Sequence, residues 1–297
     1  MTGRSRWGEP RAEGNRDAPP SVPQVERSHF GGTGTPLVLL HGATSSWRAW
    51  RPLLPILERR HRVFAPTLAG HLSGTPLAVD PERVVPAIVD DVEAAMDEIG
   101  MGTAHLAGNS LGGWVALELA RRGRATSVVA LSPAGAWRRP RDLARLLALF
   151  RVAGAIGVRP AARRLLAVGP LRDVVLRGVS EHPERLTPAE VGEFVDDLIG
   201  CTVLPDLLRG ARASGGFAPL RTGCPVLLAW GAKDKILPFA RYGRPMIDAV
   251  PGADVARLPG VGHVPMPDDP LLVARTILDY AARVDSRGRS DDCLGTG

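Results

Sequence analysis

Aromatic residues and lysine are scarce in this chain of 297 residues, and a long apolar run is missing. Aromatics make up only 5% of the residues, which predicts a core built mainly from Leu, Val and Ala. Lys233 and Lys235 are the only lysines, so the formal charge of +6 comes from arginines that are spread among acidic residues along the chain. Because no basic run and no known nucleic-acid-binding motif accompanies that charge, we expect no nucleic-acid partner.

The three cysteines, Cys201, Cys224 and Cys293, form no CxxC pair and no metal-ligand spacing with histidine. An odd, widely spaced set is typical of a reducing compartment and argues against a disulfide framework. Apolar stretches such as 143–150 are too short to span a bilayer, and residues 1–24 lack the apolar core of a signal peptide. We therefore expect a cytoplasmic protein without a membrane partner. No pattern in the sequence indicates an oligomeric state.

Short apolar runs alternate with helical patterns over most of the chain, which predicts an α/β fold with a mostly parallel sheet flanked by helices. The alternation stops between residues 136 and 215, where Arg-rich helical patterns are broken by Gly and Pro. We therefore divide the chain into a disordered N-terminal tail (1–24), a core (25–135 and 216–284), a helical cap inserted between two core strands (136–215) and a disordered C-terminal tail (285–297).

The strongest motif is Gly108-Asn109-Ser110-Leu111-Gly112, which lies between an apolar strand and a helix. A nucleophilic serine on a tight strand-to-helix turn needs glycines two residues to either side, because a Cβ there would collide with neighbouring backbone. The turn would present the Ser110 hydroxyl at the carboxyl end of the strand. The alternative is a glycine-rich turn with an incidental serine.

This motif and its context resemble the nucleophile elbow of the α/β-hydrolase superfamily. The His41-Gly42 pair after an early strand is similar to the family's HG pair, and the resemblance implies that the backbone amides of Ala43 and Leu111 form an oxyanion hole. The segment Ala65-Pro66-Thr67-Leu68-Ala69-Gly70-His71 also resembles the family, although Thr67 and Ala69 depart from its usual pattern. We expect structural roles for His41 and His71.

A nucleophilic serine needs a base, and the base needs an acid that orients it. The family's order along the chain is serine, acid, histidine, and two positions fit it. Asp234 lies in a G-x-x-D-x-x-x-P loop after the Pro225–Trp230 strand, and His263 lies in a Gly-His segment before the last helix. The alternatives are an Asp234 paired with Lys233 or Lys235 and a His263 on a surface loop. Asp268 and Asp269 are better explained by the start of that helix, with Asp269 as N-cap.

These residues predict a serine hydrolase that cleaves a small-molecule ester, lactone or thioester through an acyl-enzyme, without a metal or organic cofactor. A serine at the elbow argues against epoxide hydrolases and haloalkane dehalogenases, which use aspartate there. Two alternatives stay open. One is a carbon–carbon hydrolase acting on a β-diketone or ring-cleavage product, which an arginine of the cap holding a substrate carboxylate would favour. The other is a ligand-binding member of the fold without catalytic activity.

The cap should cover the site, because connections at the carboxyl ends of parallel strands pass over the crevice there. We expect it to supply most of the apolar wall of the substrate pocket. Asn109 within the elbow and Trp137 at the start of the cap are the candidate substrate-binding residues.

Overall fold

The computed structural model describes residues 26–137, 139–157, 169–213 and 216–294, so the predicted tail 1–24 lies outside the described residues. The strands are β1 (Ser28–Gly31), β2 (Thr35–Leu40), β3 (His61–Pro66), β4 (Ala104–Asn109), β5 (Ala125–Leu131), β6 (Val226–Gly231) and β7 (Asp254–Leu258). The α-helices are α1 (Leu54–Leu57), α2 (Val84–Glu98), α3 (Leu111–Arg121), α4 (Pro140–Gly157), α5 (Gly169–Leu176), α6 (Pro188–Gly200), α7 (Leu204–Ala213), α8 (Phe239–Ala249) and α9 (Pro270–Leu294). Short 3-10 helices occupy Trp47–Trp50, Pro81–Arg83 and Pro183–Arg185.

The seven strands form one sheet in the order β1-β3-β2-β4-β5-β6-β7. All neighbours pair in parallel except β1, which pairs antiparallel with β3 at the edge. This arrangement confirms the predicted α/β fold with a mostly parallel sheet. β1 was not predicted, because four residues with mixed burial carry no clear strand pattern.

The core has two halves, one on each face of the sheet. Side chains alternate between the faces of a strand, so Val38 and Leu40 of β2 pack into one half while Leu37 and Leu39 pack into the other. All four are fully buried. Helices cover both faces, and the carboxyl ends of the central strands remain free to position a site.

The described residues between β5 and β6 form helices, turns and loops, with no strand among them. The start of α6 has a clear cause. Thr187 accepts a hydrogen bond from the amide of Glu190 at 3.3 Å, and the Glu190 carboxylate accepts one from the Thr187 amide at 2.8 Å. This capping box satisfies two amides that the first turn of a helix leaves unpaired.

The last helix begins as predicted, because Asp269 Oδ1 accepts a hydrogen bond from the Leu272 amide at 2.9 Å and Pro270 is the first helical residue. The predicted disordered tail at 285–297 is wrong as far as Leu294, because α9 continues to that residue. Extending an existing helix is far easier than starting one. The Asp285 carboxylate also lies 3.0 Å from His105 Nε2 on β4, which anchors the extension. Residues 295–297 lie outside the described part.

In the described part of the chain, no helix combines the length and the apolar character that crossing a membrane requires.

Candidate active site

Ser110 occupies the turn between β4 and α3, with φ 54° and ψ −112°. This conformation is strained for a residue with a side chain. A Cβ on Gly108 would lie 2.2 Å from the Gly112 carbonyl oxygen, and a Cβ on Gly112 would lie 2.0 Å from the Leu40 carbonyl oxygen. The two glycines of the motif are therefore required by the close approach of backbone, as the sequence predicts.

The two candidate oxyanion donors belong to two different segments near this turn. Leu111 is the first residue of α3, and the amides of a helix's first turn have no partner within the helix. The helix dipole adds a partial positive charge at the same place. Ala43 lies in the loop after β2 and lines the same cavity as Ser110. Both amides are thus placed at the carboxyl end of the central strands.

His263 and Asp234 meet below this cavity. His263 Nδ1 lies 2.8 Å from Asp234 Oδ2, and both residues are buried. Asp234 Oδ1 accepts hydrogen bonds from the amides of Ile236 at 2.9 Å and Leu237 at 2.7 Å. The carboxylate is therefore fixed by its own loop and can orient the imidazole. Lys235 binds Glu181 at 2.7 Å, so the alternative pairing of Asp234 with that lysine is not observed.

Charge and hydrogen bonds decide the protonation of Asp234. Burial on its own raises the pKa of this carboxyl, but the electrostatic interaction and hydrogen bond with His263, together with hydrogen bonds from Leu237 and Ser132, hold the pKa below its usual value. Asp234 therefore stays ionised at neutral pH and favours an imidazole whose Nδ1 carries a proton.

His41 and His71 are placed behind the site, as expected of structural residues. His41 Nε2 accepts a hydrogen bond from the Leu68 amide at 2.9 Å, so its Nδ1 carries the proton and donates to the Gly42 carbonyl at 2.8 Å. The His71 ring stands edge-on to His41 with 5.0 Å between the centroids. Burial lowers the pKa of His41 well below its usual value and that of His71 to about 4.

A cavity of about 250 Å³ opens above Ser110 and His263. Its apolar wall comes mostly from the segment between β5 and β6, with Phe150 of α4, Val175 and Leu176 of α5, and Phe194 and Leu198 of α6. Ile236, Val264 and Met266 complete this wall from the core.

One side of the cavity is polar, because Arg48 meets α6 there. Arg48 Nη2 lies 2.5 Å from Asp197 Oδ1, and the Ser46 hydroxyl donates to Asp197 Oδ2 at 2.8 Å. Burial raises the pKa of Asp197 even though Arg48 and Ser46 act to lower it. Arg51, which also lines the cavity, binds Glu193 at 3.0 Å. Each arginine of the described lining therefore has a carboxylate partner.

Of the two candidate substrate-binding residues, one lines the cavity and the other does not. Asn109 lines the cavity, but its Nδ2 donates to the carbonyls of Leu131 at 3.2 Å and His263 at 2.9 Å. Trp137 is not among the cavity-lining residues, and it packs edge-on against Trp114 with 5.8 Å between the centroids. The expectation that Trp137 lines the pocket is corrected, because aromatic packing on α3 turns its side chain into the core.

The sequence assigns Asp268 to the start of the last helix, but in the structure its side chain binds other segments of the chain. Its side chain is fully buried and accepts hydrogen bonds from the amides of Gly262 and His182 and from the Ser180 hydroxyl. Asp197 was likewise not predicted. Both carboxylates bind partners far away in the chain, which motif spacing does not reveal. A weak signal was available for Asp268, since Asp269 alone suffices as the N-cap.

Neither Cys201 nor Cys224 has a catalytic geometry. Cys201 and Cys224 are both free. Burial raises the pKa of Cys201 to about 11, so its thiol stays protonated and unreactive. The described residues also hold no group of three His, Cys, Asp or Glu side chains placed to bind a metal ion.

Several known proteins that resemble this chain are hydrolases. The epoxide hydrolase EphH of Mycobacterium tuberculosis is 34% identical over 206 residues, which span 65% of this chain and 92% of the relative. The pimeloyl-[acyl-carrier protein] methyl ester esterase of Aromatoleum aromaticum is 31% identical over 79% of this chain and 93% of its own. The enol-lactonase of Burkholderia xenovorans has the same fold, with a TM-score of 0.65 at 20% identity over 86% of this chain and 95% of its own. Residues 37–276 match the model of the alpha/beta hydrolase family. This chain is an enzyme of the alpha/beta hydrolase family.

Proposed function

We propose that this enzyme is a serine hydrolase that cleaves a small-molecule carboxylic ester, lactone or thioester through an acyl-enzyme on Ser110. The observation that carries the proposal is the pairing of His263 Nδ1 with the ionised Asp234 at 2.8 Å, while His263 shares a cavity with Ser110 at a strained strand-to-helix turn. An oriented imidazole leaves its Nε2 free to take a proton from the serine hydroxyl.

The reaction would run in two halves. Ser110 Oγ attacks the carbonyl carbon while His263 takes its proton, and the amides of Leu111 and Ala43 stabilise the negative oxygen. His263 then gives the proton to the leaving alcohol or thiol. Water enters, His263 takes a proton from it, and hydrolysis of the acyl-enzyme releases the acid and restores Ser110. Asp234 stays ionised throughout and stabilises the imidazolium.

An epoxide substrate does not fit a serine nucleophile at the elbow. A carboxylate that opens an epoxide forms an ester, which water can hydrolyse at its carbonyl. Ser110 would instead form an ether, which has no carbonyl for water to attack. A carbonyl substrate therefore fits the residue at the elbow.

An arginine of the cap that holds a substrate carboxylate would favour the carbon–carbon alternative. The cavity arginines among the described residues, Arg48 and Arg51, already bind Asp197 and Glu193. A substrate carboxylate would have to displace those partners. This pairing supports a substrate without a negative charge, and hence an ester, lactone or thioester.

The test combines turnover of p-nitrophenyl esters with labelling by a fluorophosphonate. The wild-type chain should turn over the ester and bind one label, which also separates it from a ligand-binding protein. Ser110→Ala should lose the label and lower kcat by ~10³-fold or more. Ser45→Ala, which changes another serine of the cavity lining, should keep both activities. A label that persists in Ser110→Ala would show that Ser110 is not the nucleophile.

A further inference from the structure

The carboxylate of Asp268 is fully buried and accepts four hydrogen bonds. Its Oδ2 accepts from the amides of Gly262 at 2.7 Å and Glu181 at 3.0 Å. Its Oδ1 accepts from the Ser180 hydroxyl at 2.5 Å and the His182 amide at 2.8 Å. Hydrogen bonds to a charged acceptor are stronger than neutral ones. This one side chain therefore joins two separate segments tightly.

The first of these segments carries His263. Gly262 directly precedes it, and on its other side the Val264 amide donates to the Val179 carbonyl at 3.0 Å. Both amides that flank His263 are thus bound, one by Asp268 and one by Val179. The contact is close, because a Cβ on Gly262 would lie 2.9 Å from the Glu181 nitrogen.

The second segment, residues 179–182, belongs to the stretch between β5 and β6. Val179 and Ser180 line the cavity together with His263. Glu181 of the same segment binds Lys235, which is next to Asp234. The wall of the cavity and the loops that carry the candidate acid and base therefore meet at one place, and Asp268 lies at its centre.

We propose that Asp268 is a positioning residue that fixes His263 and the cavity wall at 179–182 with a single carboxylate. The proposal rests on the proposed function, since it assigns His263 as the base. Asp268 acts through Gly262 and not on the reacting atoms, because its two oxygens are occupied by backbone amides and by Ser180. Loss of the carboxylate should therefore affect both the chemical step and substrate binding.

Asp268→Asn is the informative change, because it keeps the shape but replaces one oxygen with an NH₂ group that faces two donors. His263 and the wall would both shift, and a displacement of about 1 Å in a catalytic group costs on the order of 100-fold in rate. We expect kcat for a p-nitrophenyl ester and the rate of fluorophosphonate labelling to fall by about 10- to 100-fold, with a raised KM.

Ser180→Ala removes one of the three contacts that Asp268 makes with the cavity wall and leaves its contact with Gly262. It should raise KM while the labelling rate, which depends on Ser110 and His263, stays within about twofold of the wild type. Asp269→Asn is the matched control, because it makes the same charge change at the next residue. Asn caps a helix about as well as Asp does, so this variant should keep the start of α9, with kcat and KM unchanged.

Several outcomes would overturn the proposal. A folded Asp268→Asn with a lower melting temperature but wild-type kcat, KM and labelling rate would give Asp268 a purely structural role. A raised KM with unchanged kcat and labelling rate would show that Asp268 positions the cavity wall but not His263. If Asp268→Asn does not fold, an unchanged KM in Ser180→Ala overturns the proposal in its place. A wild-type chain that neither turns over ester nor labels would contradict the proposed function instead.

Discussion

Asn109 Nδ2 donates a 2.9 Å hydrogen bond to the backbone carbonyl oxygen of His263. The residue before the candidate nucleophile therefore holds the loop of the candidate base, although 154 positions separate the two in sequence. The same nitrogen also donates to Leu131 on β5, so the turn, the neighbouring strand and the His263 loop are joined at one amide group.

Asn109→Ala should destabilise the protein and slow the reaction. The change leaves the buried His263 carbonyl without its donor, whereas the Leu131 carbonyl keeps a hydrogen bond from the Ser110 amide at 2.9 Å. An unsatisfied buried group costs about 1–3 kcal/mol. We expect a lower free energy of unfolding in urea and a slower labelling of Ser110 by fluorophosphonate. Unchanged stability would mean that other donors, such as water, replace the Asn109 amide.

Gly112→Ala should prevent the elbow from forming. The new Cβ would lie 2.0 Å from the Leu40 carbonyl oxygen, and backbone would have to move. Overpacking in a tight core typically costs about 1–3 kcal/mol or more. Gly102→Ala is the control, since a Cβ there meets nothing within 4 Å. Melting temperatures and ester turnover of the two variants should differ clearly, and equal values would contradict the steric account of the motif.

Asp234→Asn should keep the fold and lower kcat by up to ~10⁴-fold. A neutral amide favours the wrong imidazole tautomer and cannot stabilise the imidazolium that forms during the reaction. Circular dichroism should be unchanged, and the rate of ester hydrolysis is the measurement. A variant with nearly wild-type kcat would show that another carboxylate orients His263.

Phe194→Ala should change which substrates are preferred. Phe194 lines the cavity from α6, whereas Ile199 on the same helix is exposed to 52% and is not part of the lining. We expect Phe194→Ala to raise KM for short-chain p-nitrophenyl esters more than for longer ones, with labelling of Ser110 preserved. Ile199→Ala should leave the preference unchanged. If KM depends on ester chain length in the same way in both variants, α6 does not determine which substrates are preferred.

Protonation of His71 should lower the free energy of unfolding in mild acid. Burial lowers its pKa from 6.5 to about 4, so the unfolded chain binds a proton before the folded one does. The contribution to stability is present above pH 6.5 and is lost as the pH falls to about 4, to a total of about 3 kcal/mol at ~1.4 kcal/mol per pKa unit. His71→Asn, which keeps a donor for the Ala69 carbonyl, should flatten the fall in unfolding free energy between pH 7 and 4.5. Equal slopes in the two proteins would contradict this account.

Sequence reasoning predicted the strands other than β1, the elbow and the candidate roles of Asp234 and His263, because each depends on a local pattern. The glycines at 108 and 112 are needed by the backbone of a single turn. Asp234 follows the buried strand β6 and His263 follows the edge strand β7, both at the carboxyl edge of the sheet. Patterns of this kind involve only a few consecutive residues.

The features that were missed depend on contacts between distant parts of the chain. Ser46 and Asp197 are 151 positions apart, and Ser180 and Asp268 are 88 apart. Trp137 was expected in the pocket because of its place in the sequence, but its side chain follows the packing of Trp114. The helix beyond Asp285 is likewise stabilised by His105, which no local pattern indicates.

The position of the helical segment between β5 and β6 has a practical consequence. Ser110 precedes the segment and Asp234 and His263 follow it, yet β5 and β6 pair in parallel from Val128 to Leu131. A polypeptide cut between these strands would carry the candidate nucleophile on one fragment and the candidate acid and base on the other. Neither fragment alone would hydrolyse an ester, and fluorescence from a fluorogenic ester would report their reassembly. The chain therefore has the layout of a split reporter.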